Sequence, residues 1–260
     1  MLMLTDRVDD ELLDAAGPQL RIVADYAVGI DNVDVEACRR RGVVVSNTPD
    51  VLTETTAELA IAIMLALVRR VVEGDRLIRR GEEWIWAPNL MLGRGLGGLV
   101  LGLVGHGRIG QAVERLARAH GMDVVFGTRT SGVPLDELLA AADVVSLHLP
   151  LTDESRHLID ARALARMKET AVLVNVSRGP IVDEDALATA LAEGGIAGAA
   201  LDVFEHEPEV HPGLLGLENV VLVPHLGSAT LETREAMGML CVDALRAVLL
   251  ERRVPPNAVA

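Results

Sequence analysis

Cysteine is almost absent from this chain of 260 residues, which contains only Cys38 and Cys241. Two cysteines so far apart in sequence exclude a disulfide framework and a C-x-x-C metal or redox pair. Histidines at metal-binding spacing, such as H-E-x-x-H, are also missing, and we expect no metal site. Aromatic residues make up 2% of the chain, so its core must be built mainly from Val, Leu, Ile and Ala.

Positive charge is scarce as well. The 24 Lys and Arg residues stand against 38 Asp and Glu residues, giving a formal net charge of −14. Electrostatic repulsion therefore disfavours a nucleic acid or an anionic membrane as the partner. The longest uncharged apolar run in a helical pattern, Leu59–Val68, is too short to span a bilayer. The N-terminus turns acidic by residues 6–10 and does not resemble a signal peptide, so we expect a cytoplasmic protein.

Apolar runs of strand length alternate with helical patterns along most of the chain. Several of the runs lack polar alternation, which is typical of strands covered on both faces by helices. The pattern predicts an α/β fold with a doubly wound parallel Rossmann sheet. The predicted strands are Leu20–Ala24, Val43–Ser46, Leu99–Val104, Val124–Phe126, Val144–His148, Ala171–Val176, Ala197–Leu201 and Val220–Val223. The predicted helices are Glu54–Arg80, Ile109–Ala119, Leu135–Ala142, Ala161–Met167, Glu184–Glu193 and Thr230–Leu250.

The chain is predicted to form two domains with a boundary near Thr48-Pro49. Residues 50–229 would form a dinucleotide-binding domain. Residues 1–49, joined by the C-terminal helix at 230–260, would form a partial substrate domain. The first 50 residues offer two strands and two short helices, which is thin for an independent core.

A glycine-rich turn follows the strand at Leu99–Val104. Gly105 can make the tight turn, Gly107 lets a pyrophosphate approach the backbone, and Gly110 lets the next helix pack closely on the strand. The helix N-terminus offers free N–H groups to phosphate oxygens. The spacing G-x-G-x-x-G between an apolar strand and a helix favours dinucleotide binding over a turn that needs glycine only for packing.

The end of the following strand indicates which dinucleotide is bound. A site specific for NAD usually has an acid there to bond the ribose 2′-hydroxyl, whereas this chain has Thr128, Arg129 and Thr130. Asp123 precedes the strand and lies at its opposite end. Two hydroxyls and a guanidinium favour the 2′-phosphate of NADP, although an exposed loop arginine and NAD binding without the acid stay open as the alternative.

Polar residues follow three further strands, at the sheet edge where ligands bind in open α/β folds. Reduction of a ketone by hydride transfer leaves charge on the oxygen, which requires a proton donor and a cation nearby. A histidine paired with a carboxylate supplies the proton, and an arginine grips a carboxylate or keto oxygen. Each residue taken alone is as well explained as a surface or loop group. The candidates are Arg178, Asp202, Glu207 and His225; His148, His206 and His211 fit less well.

Several motifs resemble those of the D-isomer-specific 2-hydroxyacid dehydrogenase family, in order and in spacing. Among its branches, the ending after the second Rossmann strand is most similar to the glyoxylate and hydroxypyruvate reductases, which prefer NADPH. The motifs are Val104–Gly110 (VGHGRIG), Asn175–Gly179 (NVSRG), Ala200–Pro208 (ALDVFEHEP) and Pro224–Ser228 (PHLGS), with Val28–Asp34 and Asn47–Pro49 upstream.

The resemblance implies a role for each matching residue. His225 would be the general acid, Glu207 its partner and Arg178 the substrate anchor. The backbone N–H groups of Val28 and Gly29 would hold the substrate carboxylate. Residues expected to bind the cofactor are Gly105, Gly107, Arg108, Ile109, Gly110, Thr128, Arg129, Thr130, Leu149, Val176, Ser177 and Asp202. Family members are usually homodimers paired through the segment matching Glu54–Leu92; Trp84 and Trp86 lie there, and core packing explains them equally well.

Two departures from the family pattern lead to further expectations. The stretch between Arg129 and Asp143 is short, so the third Rossmann strand should be vestigial around Val133. The family's substrate domain, which is flavodoxin-like, begins well before the segment matching residue 1. We therefore expect an incomplete, N-terminally truncated domain that exposes apolar surface around Ile22, Val23 and Val43–Val45.

Taken together, these observations predict an NADPH-preferring reductase of glyoxylate or hydroxypyruvate, with NAD as a possible cofactor. D-3-Phosphoglycerate dehydrogenase using NAD is the alternative among enzymes. A dinucleotide-sensing interaction protein without catalytic activity and an inactive fragment are the alternatives outside them.

Overall fold

We analysed a computed structural model, which describes residues 2–3 and 6–259. The chain divides into two compact units. The first runs to Thr55 and resumes at Ser228, and the second is Thr56–Gly227.

The first unit is a three-stranded parallel sheet in the order β1-β2-β3 with helices packed on it. Its assignment as an incomplete flavodoxin-like domain stays a prediction. The elements are β1 (Leu2–Met3), α1 (Asp10–Ala16), β2 (Ile22–Asp25), α2 (Val35–Arg40), β3 (Val44–Ser46) and the long C-terminal helix α10 (Leu231–Leu249).

The expectation of exposed apolar surface around the strands of this unit is wrong. Ile22, Val23 and Val45 are almost completely buried and Val43 is buried too. Two small clusters cover the sheet: α1 and α2 contribute to the cluster that includes Val23, and α10 packs on β2 around Ile22. The C-terminal helix therefore supplies the second layer that a core requires.

The second unit confirms the predicted α/β class with its parallel sheet. Six strands lie in the order β5-β4-β6-β7-β8-β9, with helices between successive strands. The strands are β4 (Val100–Val104), β5 (Asp123–Gly127), β6 (Val144–Leu147), β7 (Val172–Asn175), β8 (Gly198–Leu201) and β9 (Val220–Leu222). The helices are α3 (Thr53–Val68, which starts in the first unit), α4 (Val71–Arg79), α5 (Arg108–Ala119), α6 (Leu135–Ala141), α7 (Ala161–Leu164), α8 (Glu184–Glu193) and α9 (Pro212–Leu215).

The central strands are buried on both faces, as their unbroken apolar sequences predict. One core cluster lies on the side of α3 and α5, and the other lies on the side of α6, α7 and α8. The parallel register brings the carboxyl ends of all six strands to one edge of the sheet.

The prediction of one helix over Glu54–Arg80 is wrong. Helix α3 ends at Val68, and α4 starts at Val71 after Arg70, whose φ of +55° interrupts the helical path. The segment that returns at Gly93 packs against the end of α3, because a Cβ at Gly93 would lie 2.5 Å from the carbonyl oxygen of Val68.

The segment after α4 is largely exposed. Trp84 is 52% exposed, Ile85 85% and Trp86 74%, so core packing is the wrong explanation for the two tryptophans. We call residues 82–92 the arm.

The third Rossmann strand is indeed reduced to a trace. Only an isolated antiparallel bridge between Gly127 and Gly132 occupies its place, and α6 follows at Leu135. In the part of the chain that the structure describes, no helix is long and apolar enough to cross a membrane.

Candidate active site

The glycine turn has the backbone shape that its spacing predicts. Gly105 has φ +95°, and a Cβ there would lie 2.3 Å from the carbonyl oxygen of His148. A Cβ at Gly110 would lie 2.6 Å from the oxygen of Gly105, so α5 packs directly on the turn. Both positions therefore require glycine.

Gly107 differs from the other two glycines because nothing lies within 4 Å of a Cβ built on it. It is exposed and forms the N-cap of α5, whose first turn carries no acidic residue. Open backbone at a helix N-terminus fits the pyrophosphate of a dinucleotide. Arg108 and Ile109 begin this helix and flank the same opening.

The loop after β5 holds the three residues predicted to distinguish NADP from NAD. The Thr128 hydroxyl accepts the N–H of Ser131 at 2.9 Å, which closes a tight turn. Arg129 and Thr130 are exposed at its tip. Thr128 thus shapes the loop, while Arg129 offers the positive charge.

His225 and Glu207 are paired. His225 Nδ1 lies 2.9 Å from Glu207 Oε2, and the other carboxylate oxygen of Glu207 accepts the N–H of Phe204 at 3.0 Å. The His225 side chain is 43% exposed, which leaves its ring accessible. The structure therefore brings together the predicted proton donor and its acidic partner.

The pKa of Glu207 lies below its ordinary value. Burial by itself would raise this pKa, but the hydrogen bond with His225 and the N–H of Phe204 outweigh burial. The positive charge of Arg178 lowers the same pKa further, which places the guanidinium in the electrostatic neighbourhood of the pair. Glu207 is thus held as a carboxylate.

Arg178 lies at the end of β7, immediately before a 3₁₀ turn at Gly179–Ile181. The side chain of Asn175 fixes this corner, because its Nδ2 donates to the Arg178 carbonyl at 2.9 Å and its Oδ1 accepts the Ser177 N–H at 3.0 Å. The Ser177 hydroxyl donates to the carbonyl of Leu147 at 2.6 Å. Asn175 begins the motif Asn175–Gly179, yet nothing in the sequence indicates that its side chain fixes the backbone of this corner.

Asp202 is buried at the end of β8 and holds the turn that carries His225. Its Oδ1 accepts the Leu226 N–H at 2.5 Å, its Oδ2 accepts the Gly227 N–H at 2.9 Å, and its carbonyl accepts the His225 N–H at 2.9 Å. Burial raises the pKa of Asp202, although these N–H groups act in the opposite direction. Predicted as a cofactor contact, Asp202 is also the support of the proposed acid.

Leu149 and Val176, the remaining predicted cofactor residues, follow β6 and β7 at the same sheet edge. Leu149 is half-buried and Val176 is buried. Apolar groups at these positions are suited to the faces of nucleotide rings.

Two of the three other candidate histidines have structural partners. His148 Nε2 lies 2.8 Å from the Ser146 hydroxyl, its Nδ1 is shielded from solvent, and burial lowers the pKa of His148 to about 3. His211 Nε2 lies 2.9 Å from Asp185 Oδ1, and its Nδ1 accepts the Gly213 N–H. His206 is exposed in the same loop.

Sequence reasoning missed a cluster beside Glu207. His157 Nε2 lies 2.6 Å from Glu205 Oε1, and the Glu205 N–H donates to the buried Glu184 at 2.8 Å. His157 lies in no recognisable motif, so its partner could not be predicted from the sequence.

Val28 and Gly29, the predicted substrate-binding residues, lie in the first unit after β2 and are half-buried. The side-chain amide of Asn47 donates to the Val28 carbonyl at 2.8 Å, and the Thr48 N–H donates to the Ala27 carbonyl at 2.8 Å. Both bonds fix the backbone of this loop.

No group of three or more His, Cys, Asp or Glu side chains could hold a metal ion among the residues that the structure describes. The candidate site comprises the glycine turn, the loop after β5, and the set formed by Arg178, Glu207 and His225.

The chain is similar in sequence to known proteins. Residues 61–227 match the profile of the family described as D-isomer specific 2-hydroxyacid dehydrogenase, NAD binding domain. The chain is 48% identical over 272 residues to a glyoxylate reductase of Thermococcus litoralis, covering 99% of this chain and 82% of that protein.

The chain is also similar in structure to solved proteins. A protein of Thermus thermophilus superimposes with a TM-score of 0.95 and 49% identity, covering 100% of this chain and 85% of that one. An NADPH-dependent glyoxylate/hydroxypyruvate reductase of Sinorhizobium meliloti, in complex with NADP and malonate, superimposes with a TM-score of 0.89 and 38% identity, covering 100% and 83%.

Proposed function

Because the chain belongs to the D-isomer-specific 2-hydroxyacid dehydrogenase family of oxidoreductases, we propose that it reduces glyoxylate or hydroxypyruvate with NADPH. The product is the D-hydroxyacid where a stereocentre arises. The observation that carries this proposal is the His225–Glu207 pair within the electrostatic reach of Arg178, in the unit that holds the glycine turn.

His225 is the proposed general acid. Its Nδ1 faces Glu207, so the remaining ring nitrogen, Nε2, is the one that would donate a proton to the keto oxygen. When bound, the reduced nicotinamide supplies the hydride, and the carbonyl carbon accepts it. Glu207 stabilises the protonated imidazole and fixes the ring orientation.

Arg178 is the proposed substrate anchor. Its guanidinium can donate two hydrogen bonds to the carboxylate or keto oxygen of a 2-ketoacid and can stabilise negative charge on the reacting oxygen. The backbone N–H groups of Val28 and Gly29 are the proposed donors to the substrate carboxylate, supported by the two bonds that fix their loop.

The cofactor would be held by the backbone of the glycine turn. The open surface at Gly107 and the N-terminus of α5, with Arg108 and Ile109, suit the pyrophosphate. Leu149, Val176 and Asp202 are the proposed contacts of the ring systems, and Ser177 supports the backbone between them.

The preference for NADPH over NADH is part of the proposal. It is supported by the absence of an acid over Gly127–Ser131 and by the exposed Arg129. We expect Arg129→Ala to weaken NADPH binding by about 1–3 kcal/mol while NADH binding stays unchanged, because only NADPH carries the 2′-phosphate. Tighter binding of NADH than NADPH by the wild type would refute this preference.

A homodimer formed through the arm is also proposed. Its tryptophans and Ile85 present apolar surface that a monomer rarely exposes in one patch. We further propose a reducing, cytoplasmic location, consistent with the two free thiols of Cys38 and Cys241.

The activity itself is tested by following NADPH absorbance with glyoxylate or hydroxypyruvate present. Wild-type protein should consume NADPH, and His225→Gln should lower kcat by about 10²–10⁴-fold because the acid is lost. Absence of consumption by protein that binds NADPH would refute the reductase. NADH-dependent turnover of a phosphorylated hydroxyacid, with no reduction of glyoxylate, would instead favour a phosphoglycerate dehydrogenase.

A further inference from the structure

His157 contacts both segments that carry the proposed reactive side chains. Its backbone N–H donates to the carbonyl of Pro180 at 2.8 Å, two residues beyond Arg178. Its ring Nε2 lies 2.6 Å from Oε1 of Glu205, two residues before Glu207. His157 is not one of the proposed reactive residues, yet it contacts both the segment of Arg178 and the segment of Glu207.

The two segments touch each other at a position without a side chain. A Cβ at Gly179 would lie 1.9 Å from the carbonyl oxygen of Phe204 and 2.4 Å from the nitrogen of Glu205. The backbone next to Arg178 therefore packs directly on the backbone before Glu207. This contact fixes how closely the segments approach.

Glu205 is also bound by Glu184. Its N–H donates to Oε1 of Glu184 at 2.8 Å, and Glu184 is a buried residue at the start of α8. Burial raises the pKa of Glu184. Glu205 is therefore bound at its backbone by Glu184 and at its carboxylate by His157.

The backbone of His157 shows that a side chain is retained there against a conformational cost. Its φ is +51°, in the left-handed region that glycine tolerates best and that histidine adopts more readily than most other residues. Strain of this kind persists where surrounding contacts determine the conformation. Here the contacts are the bonds to Pro180 and Glu205.

We propose that His157 is a positioning residue for the reductase reaction: it fixes the segment of Arg178 relative to the segment of Glu207. This inference rests on the proposed function. His157 itself does not touch the reacting pair; it acts through Glu205 and Pro180. The Phe204 N–H donates to Glu207, and Glu207 pairs with His225. A change in the orientation of this loop would therefore displace the proposed general acid, His225.

Three variants separate positioning from general loss of structure. His157→Leu removes the hydrogen-bonding ring, whereas His157→Gln places an amide donor within reach of Glu205. His206→Leu is the matched control, since His206 is exposed in the loop that contains Glu205. We expect His157→Leu to lower kcat about 10- to 100-fold, with His157→Gln within about threefold of the wild type. The Kd for NADPH should stay within about twofold throughout, because neither bond of His157 involves a residue proposed to contact the cofactor.

Hydrogen exchange of the peptide covering residues 203–209 gives a readout that needs no turnover. Its amides should exchange faster in His157→Leu and at the wild-type rate in His157→Gln and His206→Leu. If His157→Leu does not fold, Glu205→Ala, which removes the acceptor, takes its place with the same expected loss of kcat and faster exchange.

Two outcomes would overturn the inference: an unchanged kcat in His157→Leu, or a lower kcat with unchanged exchange at residues 203–209. A wild type that fails to reduce either ketoacid would refute the proposed function alone, because the exchange measurement still tests the positioning role.

Discussion

His225 has a backbone conformation that costs free energy. Its φ of +53° is in the left-handed region, and a residue with a side chain there pays about 1–2 kcal/mol. The three bonds to Asp202 hold the turn in this state. The proposed acid is therefore placed by a buried carboxylate that precedes it by 23 positions, not by its own local sequence.

Asp202→Asn tests that support. An amide keeps one acceptor but turns the second into a donor, which faces either the Leu226 or the Gly227 N–H. Losing that bond costs about 1–3 kcal/mol, whereas removing a buried charge regains part of this, so we expect a small change in stability. Displacement of His225 should lower kcat about tenfold or more.

Activity and urea unfolding should be measured together for this variant, with the exposed Asp123→Asn as the control. Full activity of Asp202→Asn would show that the turn keeps its shape without the carboxylate.

His148 makes the protein sensitive to acid. Its pKa is about 3 in the folded chain and about 6.5 when unfolded, so the unfolded state takes up a proton that the folded state refuses. Stability is therefore lost as the pH falls below about 6.5, by about 1 kcal/mol between pH 7 and pH 5.5. His148→Gln should lose less stability over this interval in urea unfolding. If the free energy of unfolding changed with pH equally in the wild type and in His148→Gln, His148 would not be the source of the acid sensitivity.

At the scale of an element, the glycine turn has to leave space for a ligand at Gly107 and to adopt a strained backbone at Gly105. One substitution at each glycine separates these two requirements. Gly107→Ala meets open space at an ordinary φ of −74°, and because alanine is the poorer N-cap we expect a loss of no more than about 1 kcal/mol in unfolding free energy. If the pyrophosphate lies against Gly107, the same variant should bind NADPH about tenfold or more weakly.

Gly105→Ala is the counterpart of that variant. Its Cβ would clash with His148 and its φ is +95°, so we expect a loss of about 2–4 kcal/mol in unfolding free energy. Unfolding and NADPH titration distinguish the two glycines. Wild-type NADPH affinity in Gly107→Ala would contradict the placement of the pyrophosphate.

The sequence predicted the elements best where local and tertiary demands agree. Strand β4, the glycine turn and helix α5 are set by apolar runs and glycine spacing, and α8 has the predicted bounds Glu184–Glu193. The break after α3 was missed because Arg69 and Arg70 are good helix formers, whereas the close contact of Gly93 with the end of α3 joins residues far apart in sequence.

The site was predictable only in part for a similar reason. Arg178, Glu207 and His225 follow strands, so topology places them at one edge. The hydrogen bonds of the Asn175 and His157 side chains depend on the tertiary structure, and no periodic pattern in the sequence predicts them. Thr128 was expected to donate to a ligand, but its oxygen closes a turn with Ser131, a contact between neighbours that the sequence leaves ambiguous.

At the scale of the whole molecule, the arm is the proposed interface of a homodimer. Trp86 is 74% exposed, and burial of such a side chain in a partner would contribute strongly to association. We expect a mass of twice 27.7 kDa for the wild type in sedimentation analysis and that of a single chain for Trp86→Glu.

Leu215→Glu is the control for that measurement, since Leu215 is also apolar and 62% exposed but lies on α9, outside the arm. A wild type that sediments as a single chain would contradict the homodimer.

All three proposed reactive side chains, and the turn proposed to bind the dinucleotide, belong to the second unit. The groups proposed to deliver the proton and to stabilise charge therefore lie in one unit. Substitutions confined to the first unit should leave the hydrogen bond between carboxylate and imidazole as it is.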